Sequence, residues 1–221
     1  VEGDFDGPLD DIYSQALLHS DNECYNRLVE VAGWDEINER TLTARWGLPI
    51  FVIRARYGSA HKGHSLKKSP KIKYRTDGGW EAIPKRRGAV GFPHCPRGNC
   101  VTVFELHDAL RRIILWDELP ETQRFPIPEV DQQRIRGYLL EARNRLQPSA
   151  RKAWGEPVEV YNEVGRSPGI VLIENAYLRA PGSGERMFVV LSLPFPRGDD
   201  PIFRLHRLTK TIIPAMGLAK V

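Results

Sequence analysis

His61 and His64 form an H-x2-H pair in a lysine-rich stretch, and Cys95 and Cys100 enclose Pro96-Arg97-Gly98-Asn99 about thirty residues later. Two imidazoles and two thiolates are a full tetrahedral ligand set for a structural zinc that would staple two basic loops. The same His61 and His64 can act instead as general acid and base in phosphodiester cleavage, with Lys62, Lys67 and Lys68 stabilising the developing charge. The two readings use the same histidines and exclude one another. The plainer alternatives are exposed loop histidines and an incidental or redox pair of cysteines. With Cys24, the chain has three cysteines, too few for a disulfide framework, which fits a reducing, cytoplasmic setting.

Other chemistry leaves little trace. Glu159, Glu163 and Glu174 fall on strand-like runs, but no Glu-x-Lys accompanies them, so metal-dependent nuclease chemistry has no signature. No G-x4-G-K, G-x-G-x-x-G, G-x-S-x-G or H-E-x-x-H occurs, which removes the support for nucleotide hydrolysis, dinucleotide redox and serine-esterase readings.

Charge is the strongest signal. Residues 54–97 hold twelve bases (Arg54, Arg56, Lys62, Lys67, Lys68, Lys71, Lys73, Arg75, Lys85, Arg86, Arg87 and Arg97) against Asp77 and Glu81, a net +10. Residues 1–53 carry −8 and residues 98–221 carry +2. Such a run repels itself unless an anion is near. Tyr57, Tyr74, Trp80 and Phe92 interleave it and can stack on bases. The first expectation is therefore a nucleic-acid-binding protein, with DNA and RNA both open as partners. Its contacts would be those bases and Trp80, read as an exposed platform. A nuclease using His61 or His64 is the first alternative. An assembly module that docks an acidic partner, including the acidic start of a second copy, is the other. A solvated face, or one neutralised by the chain's own acidic start, is the plain alternative.

The chain has 221 residues, 41% apolar and 27% charged, which suits one large or two small globular domains. No apolar run is long enough to span a bilayer, so no membrane partner is expected. No basic-then-apolar leader opens the sequence, and the first residue is not Met, which suits a trimmed piece.

The elements that must position these residues read as α+β. Helices are predicted over 8–19, 23–32 and 35–46, the second stopped by Gly33 and started by a turn and N-cap at Ser20-Asp21-Asn22. A helix-turn-helix around Gly33 is disfavoured by the acidity of the segment. Residues 50–57 read as a strand. Lys71 to Arg75 and Trp80 to Ile83 alternate around Thr76-Asp77-Gly78-Gly79, a hairpin with Lys71, Lys73 and Arg75 on one face and Ile72 and Tyr74 buried on the other. A short strand is expected over 100–104 and helices over 105–119 and 129–146, with a Pro-rich connector at 120–128. Strands are predicted over 158–164, 170–180 and 186–193, and residues 202–213 read as strand or helix. The fold expected is thus N-terminal helices, a central basic β-hairpin region, and a C-terminal antiparallel sheet packed on a long helix. Its domains would be 1–119 and 129–221, or one continuous domain.

Overall fold

A computed structural model describes residues 8–42, 46–54, 56–58, 68–88, 91–95, 98–142, 144–155, 157–167, 171–194 and 201–217. The chain is α+β and divides into two compact units, Val1–Glu105 and Leu106–Val221. Residues 120–128 lie inside the second unit.

The first unit opens with α1 (Leu9–Leu18), with Asp10 and Asp11 at its positive end. Helix α2 (Asn22–Ala32) follows, and the Asp21 carboxylate accepts from the Cys24 N–H at 2.8 Å to cap it. Gly33, at φ 90°, ends α2. The third expected helix is a short π-helical stretch, Glu36–Thr41, ending at Leu42. Strands β1 (Lys68–Ser69) and β4 (Arg86–Arg87) pair with each other, and β2 (Ile72–Thr76) and β3 (Gly79–Ile83) form the expected hairpin. Its second face is not buried: Tyr74 is 39% exposed.

Residues 50–57 do not form the strand their β-branched run predicts. Many of its described backbone groups find other partners. The Ile50 and Phe51 N–H groups donate to Glu105 at 2.6 and 3.0 Å. Val52 exchanges two bonds with Cys100, an isolated bridge. Asn38 serves Ile53, Asn99 serves the Arg54 N–H, and Asn26 serves Tyr57. Side chains thus do much of the work of a neighbouring strand. The short strand expected over 100–104 is likewise replaced. Thr102 and Glu105 form a reciprocal capping box, Glu105 N–H to Thr102 Oγ1 at 3.1 Å and Thr102 N–H to Glu105 at 2.9 Å. That cap starts α3 at Val103.

The second unit contains most of α3 (Val103–Ile114), then α4 (Glu129–Glu141) and α5 (Gln147–Trp154). Strands β5 (Glu159–Ser167), β6 (Val171–Ala180) and β7 (Glu185–Pro194) form an antiparallel meander, and α6 (Pro201–Gly217) closes the unit. Alternation along β6 feeds two cores. Ala176 and Leu178 join Val160 and Val189 under Leu146, Ala150 and Ile213 from the α5 and α6 side. Tyr177 and Tyr161 pack against Leu110, Ile114 and Leu139 from α3 and α4. The sheet is therefore covered on both faces, where one helical layer was expected. The ambiguous stretch over 202–213 is helical and supplies the second layer.

Candidate functional site

The basic residues fall into two groups. Arg54, Arg56 and Arg86 are engaged within their own unit. Arg86 donates to the carbonyls of Glu30, Val31 and Ala32 at 2.8, 2.7 and 2.9 Å and so caps the negative end of α2. The neighbouring Gly33 has no room for a side chain, because a Cβ would stand 2.6 Å from the Arg86 guanidinium. Arg56 pairs with the buried Glu30 carboxylate, which Arg27 also meets at 3.1 Å. Burial, with Arg27 close by, pulls the Arg56 guanidinium below its ordinary pKa. Arg54 donates to the Cys95 carbonyl. Guanidinium groups held this way are not offered to an external anion.

Lys68, Lys71, Lys73, Arg75, Lys85 and Arg87 are exposed, and Trp80 is 73% exposed. In the hairpin register Arg75 stands opposite Trp80 and Lys73 opposite Ala82. Glu81 lies on the other face, where the Tyr74 hydroxyl donates to it at 2.6 Å and Thr76 at 3.0 Å. Those hydrogen bonds, Tyr74's first, hold the Glu81 carboxyl below its ordinary pKa. His61, Lys62, His64, Lys67 and Arg97 lie outside the described residues.

The zinc reading is corrected at its sulfur half. Cys95 and Cys100 are joined as a disulfide, so neither sulfur is a thiolate for a metal. The cysteine argument for a reducing compartment falls with it. Among the described residues no helix is long and apolar enough to cross a membrane. The three strand glutamates do not converge. Glu159 pairs with Arg179 at 2.8 Å, and Glu174 is fully buried against Asn162. Burial pushes the Glu174 carboxyl up to about 7, while the Asn162 hydrogen bond and the Arg145 charge oppose that rise.

A different site stands out in the backbone. Ser20 has φ 51°, and among the described residues it alone is a non-glycine in the left-handed region. It joins α1 to α2 on an exposed turn. The Gln15 carbonyl accepts from both His19 and Asp21 N–H groups at 3.2 Å, which folds the chain back at Ser20. Asp21 is committed to capping α2, and the exposed Asn22 is its first helical residue. A left-handed serine costs about 1–3 kcal/mol relative to an unstrained conformation, and such strain clusters at working sites. In the sequence this turn is legible only as a turn and N-cap. The triplet Ser-Asp-Asn was the signal available, and three residues that also make a good N-cap carry little weight alone.

No family model and no curated protein matches the sequence. Solved structures do match its fold. A variant of the class A β-lactamase reconstructed for the last common ancestor of Gram-negative bacteria is 14% identical at a TM-score of 0.61, covering 97% of this chain and 66% of that one. A β-lactamase from Burkholderia vietnamiensis is 14% identical at 0.60, covering 95% and 63%. PBP-A, in an acyl-enzyme complex with penicillin G, is 15% identical at 0.60, covering 95% and 62%. The chain spans slightly less than two thirds of these proteins, and at such identities the likeness concerns the fold.

That fold overturns the first functional expectation. The chain shares its fold with solved class A β-lactamases, and these structural neighbours are not nucleic-acid-binding proteins. The DNA or RNA partner, the nuclease alternative through His61 and His64, and the zinc site are corrected with it, as is the acidic docking partner. A net charge also counts Arg54, Arg56 and Arg86 as surface cations, although each is bound within its own unit.

Proposed function

We propose that this chain is part of a serine acyl-transfer hydrolase that recognises β-lactam-type amides, with Ser20, Asp21 and Asn22 as its S-D-N element. Class A β-lactamases and penicillin-binding proteins combine S-x-x-K, S-D-N and K-T-G elements. The observation that carries the reading is the left-handed, exposed Ser20 within the one S-D-N triplet of a chain with that fold.

The chemistry suits these side chains. A departing amide nitrogen must gain a proton, and a serine hydroxyl can accept one proton while passing on another. The Asn22 carboxamide offers a donor and an acceptor, matching a substrate amide. Asp21 is a positioning residue, because its carboxylate fixes the start of α2 and with it the turn. The sequence departs from the three-element pattern. No Lys-Thr-Gly occurs. Ser65-x-x-Lys68 ends in strand β1, whereas residues three apart meet on a helical turn. Ser59-x-x-Lys62 lies outside the described residues, and Ser149-x-x-Lys152 lies on α5 but has Ser149 buried, its hydroxyl donating to Thr209 at 3.4 Å. The reading therefore assigns proton relay and substrate orientation to this chain and assigns no nucleophile among the described residues.

The test is binding followed by mass. Penicillin G titrated into the protein should bind saturably. Asn22→Ala should weaken binding about tenfold, the worth of one good hydrogen bond. Ser20→Ala should leave binding within a few-fold and slow any acylation seen by intact mass. Absence of saturable binding, or affinity indifferent to Asn22, would overturn the reading.

A further inference from the structure

We propose that the hairpin face carrying Lys73, Arg75 and Trp80 is a peripheral docking surface for an anionic lipid bilayer. This goes beyond the hydrolase reading and does not depend on it.

The hairpin residues of β2 and β3 are exposed or half-exposed on both faces. The two faces differ in charge. Lys71, Lys73 and Arg75 alternate onto one side, with Trp80 directly across from Arg75 and diagonal to Lys73. Among the described residues no carboxylate forms an ion pair with these three cations. The hairpin's own acid on β3, Glu81, is turned to the opposite side and held there by Tyr74 and Thr76. The result is a one-sided cationic ribbon with an exposed indole at its turn end. Beyond it, Lys85 and Arg87 are exposed and add to the same field.

A lipid surface complements each part of this. Anionic headgroups attract clustered lysines and arginines within a Debye length of the plane. An indole settles at the boundary of headgroups and acyl chains, its ring in the apolar layer and its N–H toward water. A plane also fits a face that is cationic on one side only. The base of the hairpin is fixed, since β1 pairs with β4 and Arg86 grips the end of α2. Peripheral attachment by such a surface needs no spanning helix.

The experiment is co-sedimentation of the protein with phosphatidylcholine vesicles, with and without phosphatidylglycerol, at low and high salt, with heparin as a soluble polyanion. The expected result is binding to the anionic vesicles only, lost at high salt. Replacing both Lys73 and Arg75 with Gln should weaken it about thirtyfold, at about 1 kcal/mol per charge. Trp80→Ala should weaken it about tenfold and remove a vesicle-induced blue shift of the emission. The exposed positions leave the melting temperature unchanged, so a loss of binding is read at the surface. Equal binding to neutral vesicles, no binding to anionic ones, or vesicle binding indifferent to Trp80 and matched by heparin would overturn the proposal. The last result would mark a general polyanion patch.

Discussion

Asn38 stands in for a β-strand beside Ile53. Its Nδ2 donates to the Ile53 carbonyl at 2.7 Å, and its Oδ1 accepts from the Ile53 N–H at 2.8 Å. The same Nδ2 also reaches the Trp34 carbonyl at 2.8 Å. One side chain, 4% exposed, therefore satisfies both backbone groups of a residue fifteen positions away.

Asn38→Ala should therefore cost about 2–4 kcal/mol, because it removes three hydrogen bonds made by a buried amide and unpairs both backbone groups of Ile53. Urea unfolding of the variant measures this. A loss below about 0.5 kcal/mol would mean that the 50–57 segment pairs differently in solution.

Ser20 sets stability against function. Ser20→Gly relieves the left-handed strain and should raise stability by about 1 kcal/mol. It also removes the hydroxyl that the proposed chemistry needs. A variant that melts higher, with any acylation by penicillin G seen by intact mass slowed, is the expected pair of results. A variant that melts lower would show that the Ser20 hydroxyl matters more to the fold than its backbone angle.

Glu174 makes stability fall as pH rises. Its folded pKa is raised to about 7 from an ordinary 4.5, with burial the leading cause. Below the ordinary value both states hold the proton. Between the two values the unfolded chain releases a proton that the folded chain keeps, so each rise in pH favours unfolding. Above about 7 the loss is complete, on the order of 3 kcal/mol. Glu174→Gln keeps an acceptor for Asn162 and should flatten this slope, leaving the variant more stable at pH 8 and little changed at pH 4. Parallel pH profiles for both proteins would show that Glu174 is ionised in the fold at all these values.

The disulfide is countable. Under denaturing, non-reducing conditions one thiol of three should react, that of Cys24, and three should react after reduction. Native Cys24 should react slowly, since it is buried and its thiol pKa is raised, by burial first and then by the nearby Asp21. Reduction should lower stability by about 2 kcal/mol, the chain-entropy value for so short a loop. Three reactive thiols without reductant would return Cys95 and Cys100 to the reduced state.

Where structure follows from local chemistry, the sequence was enough by itself. Alternation around Asp77-Gly78 specifies the β2–β3 hairpin because turn and strand preferences agree within thirteen residues. Gly33 stops α2, and Ser20-Asp21-Asn22 starts it, for equally local reasons. The run from Glu159 to Pro194 reads as a meander because β-rich runs are separated by short turn signals. Tertiary structure alone decided matters of partnership. Arg86 and Arg75 look alike in a charge count, but Arg86 finds the carbonyls of α2 more than fifty positions away while Arg75 stays exposed on the hairpin. Ile50 to Tyr57 has the composition of a strand, but Asn26, Asn38, Asn99 and Glu105 satisfy its backbone first. Cys95 and Cys100 at ligand spacing become a disulfide because their sulfurs meet each other. Residues 201–217 become helical against a sheet face that needs cover. Ser20 is the sharpest case, since its triplet is legible in the chain but its left-handed backbone is imposed by α1 and α2 folding back at that turn. Spacing reports what a segment prefers by itself; the competition among distant groups for the same hydrogen bonds and charges is settled only when the chain is folded.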